Sequence, residues 1–87
     1  MAKQVIKFYA DWCGPCKVYG PTFERVKQDL QDIVEFKEVN IEDDPENLSG
    51  EYKVRGIPHT VVIEDGKVIK SQSGRIPEQE LRTFILT

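Results

Sequence analysis

The chain is poor in the residues that build metal centres and covalent staples: among 87 residues there are two cysteines, one histidine, one methionine and one tryptophan. A structural zinc site needs four ligands and a disulfide framework needs several cysteine pairs, so neither is expected to organise this fold. No apolar stretch approaches the ~20 residues that cross a bilayer, and no charged-then-apolar leader follows Met1. The sequence therefore predicts a soluble cytoplasmic protein without a membrane partner. Basic residues are also in deficit, with 12 Lys and Arg against 15 Asp and Glu and a net charge of −3. Without a basic cluster to neutralise phosphates, nucleic acid is not expected as a direct ligand. The length suits one small domain spanning residues 1–87, with a single core and no linker or repeat.

What cysteine there is lies in one place. Trp12-Cys13-Gly14-Pro15-Cys16-Lys17 carries both cysteines two residues apart, directly after an apolar run. In a reducing compartment such a pair points to catalysis or metal binding before stapling. The spacing permits a small disulfide ring. A helix starting there would stabilise a thiolate through unpaired backbone N–H groups and the helix dipole, and the thiolate is the attacking species. A structural disulfide and half of a zinc site are the competing readings, but only His59 adds a further borderline ligand.

Around this pair the chain reads as strand, helix, strand, short helix, hairpin, helix. Val5-Ile6-Lys7-Phe8-Tyr9 is apolar at four of five positions, as in a central strand covered on both faces, with Lys7 the odd member. Tyr19, Phe23, Val26 and Leu30 recur at helical spacing, predicting a helix from about Cys13 to Gln31 that Pro21 should bend. Ile33 to Ile41 reads as a second strand nearer an edge. Asp43 or Asp44 before Pro45 looks like a cap opening a short helix through Leu48 to about Tyr52. The acidic run Glu42-Asp43-Asp44-Pro45-Glu46 is read as capping and not as a metal loop. Thr60–Glu64 and Lys67–Ser71 flank Asp65-Gly66, a strong hairpin signal, and Pro77 starts a last helix with Leu81, Phe84 and Ile85 inward. A crossover helix between the first two strands implies a parallel pair. The expected fold is α/β, with a four-stranded mixed sheet of two parallel strands plus an antiparallel hairpin, flanked by three helices.

With these elements in place, the chain resembles the thioredoxin family over nearly its whole length. The segment Trp12 to Lys17 matches the family's active-site motif at every position. Arg55-Gly56-Ile57-Pro58 looks like the segment leading into the family's cis-proline, and Gly74 falls where the family has a glycine beside the active site. The extra N-terminal strand and helix of longer thioredoxins are missing, giving a minimal version near glutaredoxin in size. Glutaredoxins show Cys-Pro-Tyr-Cys and a glutathione-binding Gly-Gly-x-x-Asp that is not found here, so thioredoxin is the better match and a glutathione-linked reductase the alternative.

The resemblance implies a protein-disulfide reductase that binds no cofactor. Cys13 would attack a client disulfide and Cys16, more buried one turn on, would resolve the mixed disulfide. Gly14 and Pro15 resemble the dipeptide of reducing members. Trp12 is implied as a surface lid beside the sulfurs, and a cis Ile57-Pro58 bond would expose backbone for client pairing, whereas Tyr9 is read from its residue type as a core filler. Lys17, Arg55 and Arg75 either help dock partners or merely solubilise. Expected partners are a thioredoxin reductase carrying FAD and using NADPH, or glutathione as the lesser donor, and disulfide-containing clients such as ribonucleotide reductase. The protein is expected to be a monomer. An oxidant or isomerase, and a scaffold role such as a polymerase subunit, are the competing functions.

Two positions depart from the family. Where thioredoxins hold a buried aspartate six residues before the first cysteine this chain has Lys7, and where they carry a lysine in the second strand it has Glu38. The charge-reversed residues are expected to form a buried ion pair on adjacent strands, with Glu38 replacing the missing carboxylate near Cys16. His59, which stands where many thioredoxins have threonine, is read as a solvated strand residue.

Overall fold

Alternation along the first strand builds two hydrophobic layers on opposite faces of one sheet. The computed structural model describes residues 2–87. Its elements run β1 (Lys3–Tyr9), α1 (Gly14–Leu30), β2 (Glu35–Asn40), α2 (Leu48–Glu51), β3 (His59–Glu64), β4 (Lys67–Ser73) and α3 (Glu78–Leu86). The sheet order is β2-β1-β3-β4, with β1 parallel to β2 and antiparallel to β3, and β3 antiparallel to β4. This is the expected mixed sheet with β1 central and β2 at an edge.

Val5 of β1 and Val62 of β3 face α1 and α3, where they bury with Tyr19, Phe23, Val26, Leu30, Leu81 and Ile85. Ile6, Phe8, Val61 and Ile63 point the other way and are covered by Leu48, Tyr52, Val54 and Ile57 around α2. Successive residues of a strand face opposite sides, so one apolar run serves both layers. Full burial of each such side chain contributes roughly 1.5–3 kcal/mol.

Local signals explain most boundaries. Cys13 is the N-cap of α1 and Pro15 sits in its first turn, where a missing N–H costs nothing. The helix continues through Pro21 to Leu30. Asp65 and Gly66 both take positive φ, 52° and 84°, giving the mirror-type turn that suits a two-residue hairpin. The last carbonyls of α3 are capped by lysines from the sheet: Lys3 Nζ donates to Ile85 O at 2.8 Å and Lys70 Nζ to Phe84 O at 2.9 Å.

Several boundaries differ from expectation. The second strand is shorter, because Ile33 is 69% exposed in a turn and only Glu35–Asn40 pairs with β1. The hairpin arm β4 runs on to Ser73, with a pairing irregularity where Val62 opposes Lys70 but Ile63 opposes Val68. Pro77 stands just outside α3, at its N-cap. The short helix does not begin at Pro45: residues 42–46 form turns, and Asp44 reaches forward to accept from Leu48 N, Ser49 N and Ser49 Oγ at 2.9, 2.9 and 2.7 Å. The N-cap position itself is Asn47, whose side chain makes no capping bond; Asp44 supplies the carboxylate for the first N–H groups from three residues earlier, and the helix has only four residues.

Candidate redox site

The site forms where β1 ends and α1 begins. Ala10 O accepts from Cys13 N at 3.2 Å, closing a turn that delivers Cys13 to the helix N-terminus. Cys13 and Cys16 are joined in a disulfide with Cα atoms 5.2 Å apart. Cys13 Sγ also accepts from the backbone N–H of Cys16 at 3.2 Å, so the first turn of α1 places a donor on this sulfur. Such a donor, with the positive end of the helix dipole, favours a thiolate over a thiol once the disulfide is reduced. Cys16 is not more buried than its partner, since each is 5% exposed. Both pack with Ala10 against Tyr9, Ile41 and Ile57.

The second wall comes from the segment before β3. The Ile57–Pro58 bond is cis, and the Ile57 carbonyl oxygen lies 3.8 Å from Cys13 Sγ. Pro58 O accepts from Gly74 N at 2.8 Å, and Gly74 has φ 95°, a conformation that favours glycine. Pro58 is buried, Gly74 half-buried and Gly56 exposed. Trp12 is 63% exposed and lines a cleft of ≈ 430 Å³ with Ile41, Ser49, Val54, Arg55, Gly56 and Ile57. Gly14, Pro15 and Lys17 lie exposed on the first turn of α1. Cys13, Cys16, Trp12 and the 56–58 segment thus meet at one end of the sheet. Arg75 lies on a different cleft, with Val18, Tyr19, Thr22, Ile76 and Pro77.

A buried sulfur at a helix start, bonded to a second cysteine in the helix and facing a backbone carbonyl, is built for thiol-disulfide exchange. The thioredoxin family model matches residues 1–87. The chain belongs to the thioredoxin family. It is similar to the thioredoxin of Mycoplasmoides gallisepticum, 43% identical over 83 residues that cover 95% of this chain and 81% of the relative. The thioredoxin of Bacillus subtilis is 32% identical over 78 residues, covering 90% and 74%. Among solved structures, Fasciola hepatica thioredoxin superposes with a TM-score of 0.85 at 34% identity, covering 97% of this chain and 78% of that one. The thioredoxin fold and the Cys13–Cys16 pair make the chain a thiol-disulfide oxidoreductase of a family that binds no cofactor. No described helix is long and apolar enough to cross a membrane.

The charge-reversed residues do meet. Lys7 and Glu38 are register partners on β1 and β2, with Lys7 Nζ 3.1 Å from Glu38 Oε1. The pair is only half buried: the Lys7 side chain is 7% exposed and that of Glu38 34%. Lys27 of α1 approaches the other carboxylate oxygen at 3.6 Å, a partner missed in the sequence although it lies one helical turn beyond Phe23. The Lys7 ammonium also sits over the rings of Phe23 and Tyr9, 4.9 and 5.2 Å from their centroids. Among the described residues Glu38 makes no hydrogen bond to either cysteine; Tyr9, whose ring lies beside the Lys7 ammonium, packs against the cluster of Ala10, Cys13 and Cys16.

His59 overturns the expectation of a solvated residue. It is 6% exposed, with Nδ1 2.8 Å from Ser73 Oγ and Nε2 2.7 Å from Ser71 Oγ. Burial holds its pKa below the ordinary histidine value. Tyr19, a member of the apolar stripe, is 1% exposed, but its hydroxyl pairs with Thr60 Oγ1 at 2.8 Å across the core. Burial pushes the Tyr19 phenol up to about 12, against the lowering effect of that hydrogen bond.

Proposed function

We propose that this thioredoxin-family protein reduces protein disulfides, with Cys13 as nucleophile and Cys16 as resolving thiol. The Cys13 thiolate attacks one sulfur of a client disulfide, forming a mixed disulfide and releasing the client's other sulfur as a thiolate. The Cys16 thiolate then attacks Cys13 Sγ, closing the Cys13–Cys16 disulfide and releasing the second client sulfur. The client gains two electrons and two protons, and the chain gives up the same. The observation that carries this reading is the Cys13 sulfur at the start of α1, accepting the Cys16 N–H and facing the Ile57 carbonyl.

The client segment lies along Ile57 in extended form, between Trp12 and Gly74, exchanging backbone hydrogen bonds as an added strand. A flavoprotein reductase drawing on NADPH restores the dithiol in the cytoplasm, with glutathione as the lesser donor, and ribonucleotide reductase is one client. The Lys7–Glu38 pair tunes proton exchange at Cys16, with Glu38 in the part of the family's carboxylate. The pH profile of disulfide reduction in Glu38→Gln and Lys7→Met tests this, and an unchanged profile with unchanged stability in both removes it.

Insulin reduction driven by dithiothreitol, then by reductase and NADPH, tests the main reading. Turnover should require both cysteines, and Cys13→Ser should abolish it while the fold persists. Insulin reduction surviving in Cys13→Ser would refute the reading. A function in the cell that survives the same substitution would instead point to a scaffold role.

A further inference from the structure

His59 is the one histidine of the chain, and the redox chemistry above does not use it. Its burial at 6% exposure is unusual company for the strand beside it: of the seven residues of β4, six are exposed and one is half-buried. That edge strand has little packing to fix where it ends. The imidazole supplies what packing does not. In register, His59 opposes Ser73 and Val61 opposes Ser71, so the two serines are successive residues on one face of β4, ~7 Å apart along the strand. One ring reaches both, with a nitrogen to each hydroxyl. A neutral imidazole has one N–H and one lone pair, and a serine hydroxyl rotates to donate or accept, so either tautomer satisfies both contacts. A side chain the size of threonine could not span two positions.

The residue after Ser73 is Gly74, whose N–H donates to the carbonyl of Pro58, the residue before His59. The hydrogen bond at the rim of the redox site is thus closed at its base by the imidazole brace. We infer that His59 is a positioning residue: by pinning Ser71 and Ser73 it holds the Gly74 N–H on the Pro58 carbonyl and keeps the rim beside Ile57 in shape for a client strand. The inference rests on the proposed docking of clients along Ile57. Among the described residues no carboxylate or ammonium forms an ion pair or hydrogen bond with the ring. Phe8, 6.4 Å away between centroids, is its aromatic neighbour on β1.

The test compares His59→Ala with His59→Gln, whose amide keeps a donor and an acceptor, and with Ser71→Ala and Ser73→Ala at exposed positions that leave the core intact. Three readouts are taken: exchange of the Gly74 amide by NMR, kcat and KM for insulin, and the rate with a small aromatic disulfide that needs no docking. In His59→Ala the Gly74 amide should exchange about tenfold faster and KM for insulin should rise about tenfold, with kcat and the small-disulfide rate within about twofold. His59→Gln should recover most of both losses, and each serine variant should show a smaller change of the same kind. Unchanged Gly74 exchange in His59→Ala and in both serine variants overturns the brace. Faster exchange with an unchanged KM overturns the role in client positioning together with the docking it rests on. Equal losses with insulin and the small disulfide would assign the effect to the thiols and refute it as well. Failure of the redox reading itself would show separately, as insulin reduction surviving in Cys13→Ser.

Discussion

Glu38→Gln should destabilise the fold while Lys7→Met leaves it nearly untouched, although each removes the same ion pair. The asymmetry follows from exposure. The Lys7 ammonium is sealed between β2, α1 and two aromatic rings, whereas a third of the Glu38 side chain meets solvent. Removing one partner of a fully buried pair costs about 3–5 kcal/mol, and an exposed pair contributes ~0–1 kcal/mol. With one partner buried and the other partly wet, about 2 kcal/mol is expected for Glu38→Gln, limited by the attraction of the Phe23 and Tyr9 faces for the stranded cation. Lys7→Met keeps the volume and removes the charge that had to be desolvated, so a change within about 1 kcal/mol, of either sign, is expected. In urea, with a slope of ~1 kcal/mol per molar, the Glu38→Gln midpoint should fall by about 2 M, and its melting temperature by roughly 8–16 °C. The double variant should sit near Lys7→Met, because the glutamine then faces no buried charge. A loss in Lys7→Met equal to that in Glu38→Gln would refute the argument, since it would mean that the buried ammonium itself stabilises the sheet.

Four further outcomes follow from the polar groups and the hairpin. Tyr19→Phe strands the Thr60 hydroxyl in the core and should cost about 1–3 kcal/mol in urea unfolding. In the parent, spectrophotometric titration should find one phenol ionising near 12. Because that folded value lies above the ordinary 10, the stability it contributes is intact below pH 10 and is lost as pH rises from 10 through about 12. His59 works in the opposite sense. Its folded pKa is depressed, so the unfolded chain binds the proton first and stability is lost as pH falls below about 6.5, a slope that His59→Gln should remove when urea midpoints at pH 7.5 and 5.5 are compared. Gly66→Ala, at φ 84° with open space around the added methyl, should cost about 1–2 kcal/mol through backbone strain alone, and a smaller loss in thermal melts would contradict the turn assignment.

The parts of this fold that were legible in the sequence are those whose signal is local. The Asp65-Gly66 turn, the helical stripe Tyr19–Phe23–Val26–Leu30 and the Cys13–Cys16 spacing each declare themselves within a few residues, and each is found where expected. Lys7 was legible for a different reason: a charge within an apolar strand demands a partner, and the parallel register supplies Glu38. The α2 region was blurred because a cap and a proline announce a helix start without giving its length, and the turns at 42–46 intervene. The burial of His59 is not legible in the sequence because its partners are twelve and fourteen residues away on a strand whose own pattern is polar. Only the pairing of β3 with β4 brings those hydroxyls to the ring. The Tyr19–Thr60 bond was invisible on the same grounds, since an apolar stripe says which residues enter the core but not which polar atoms meet inside it.

The lysine caps on α3 settle where the molecule can be held. Lys3 begins the strand that runs toward Cys13, and its ammonium grips the last turn of the final helix, so both ends of the described chain emerge at the pole away from the sulfurs. A tether to an electrode or bead joined beyond Thr87 would therefore present the reactive end outward, whereas neutralising Lys3 or Lys70 by acylation during coupling would loosen the clasp at the anchored end.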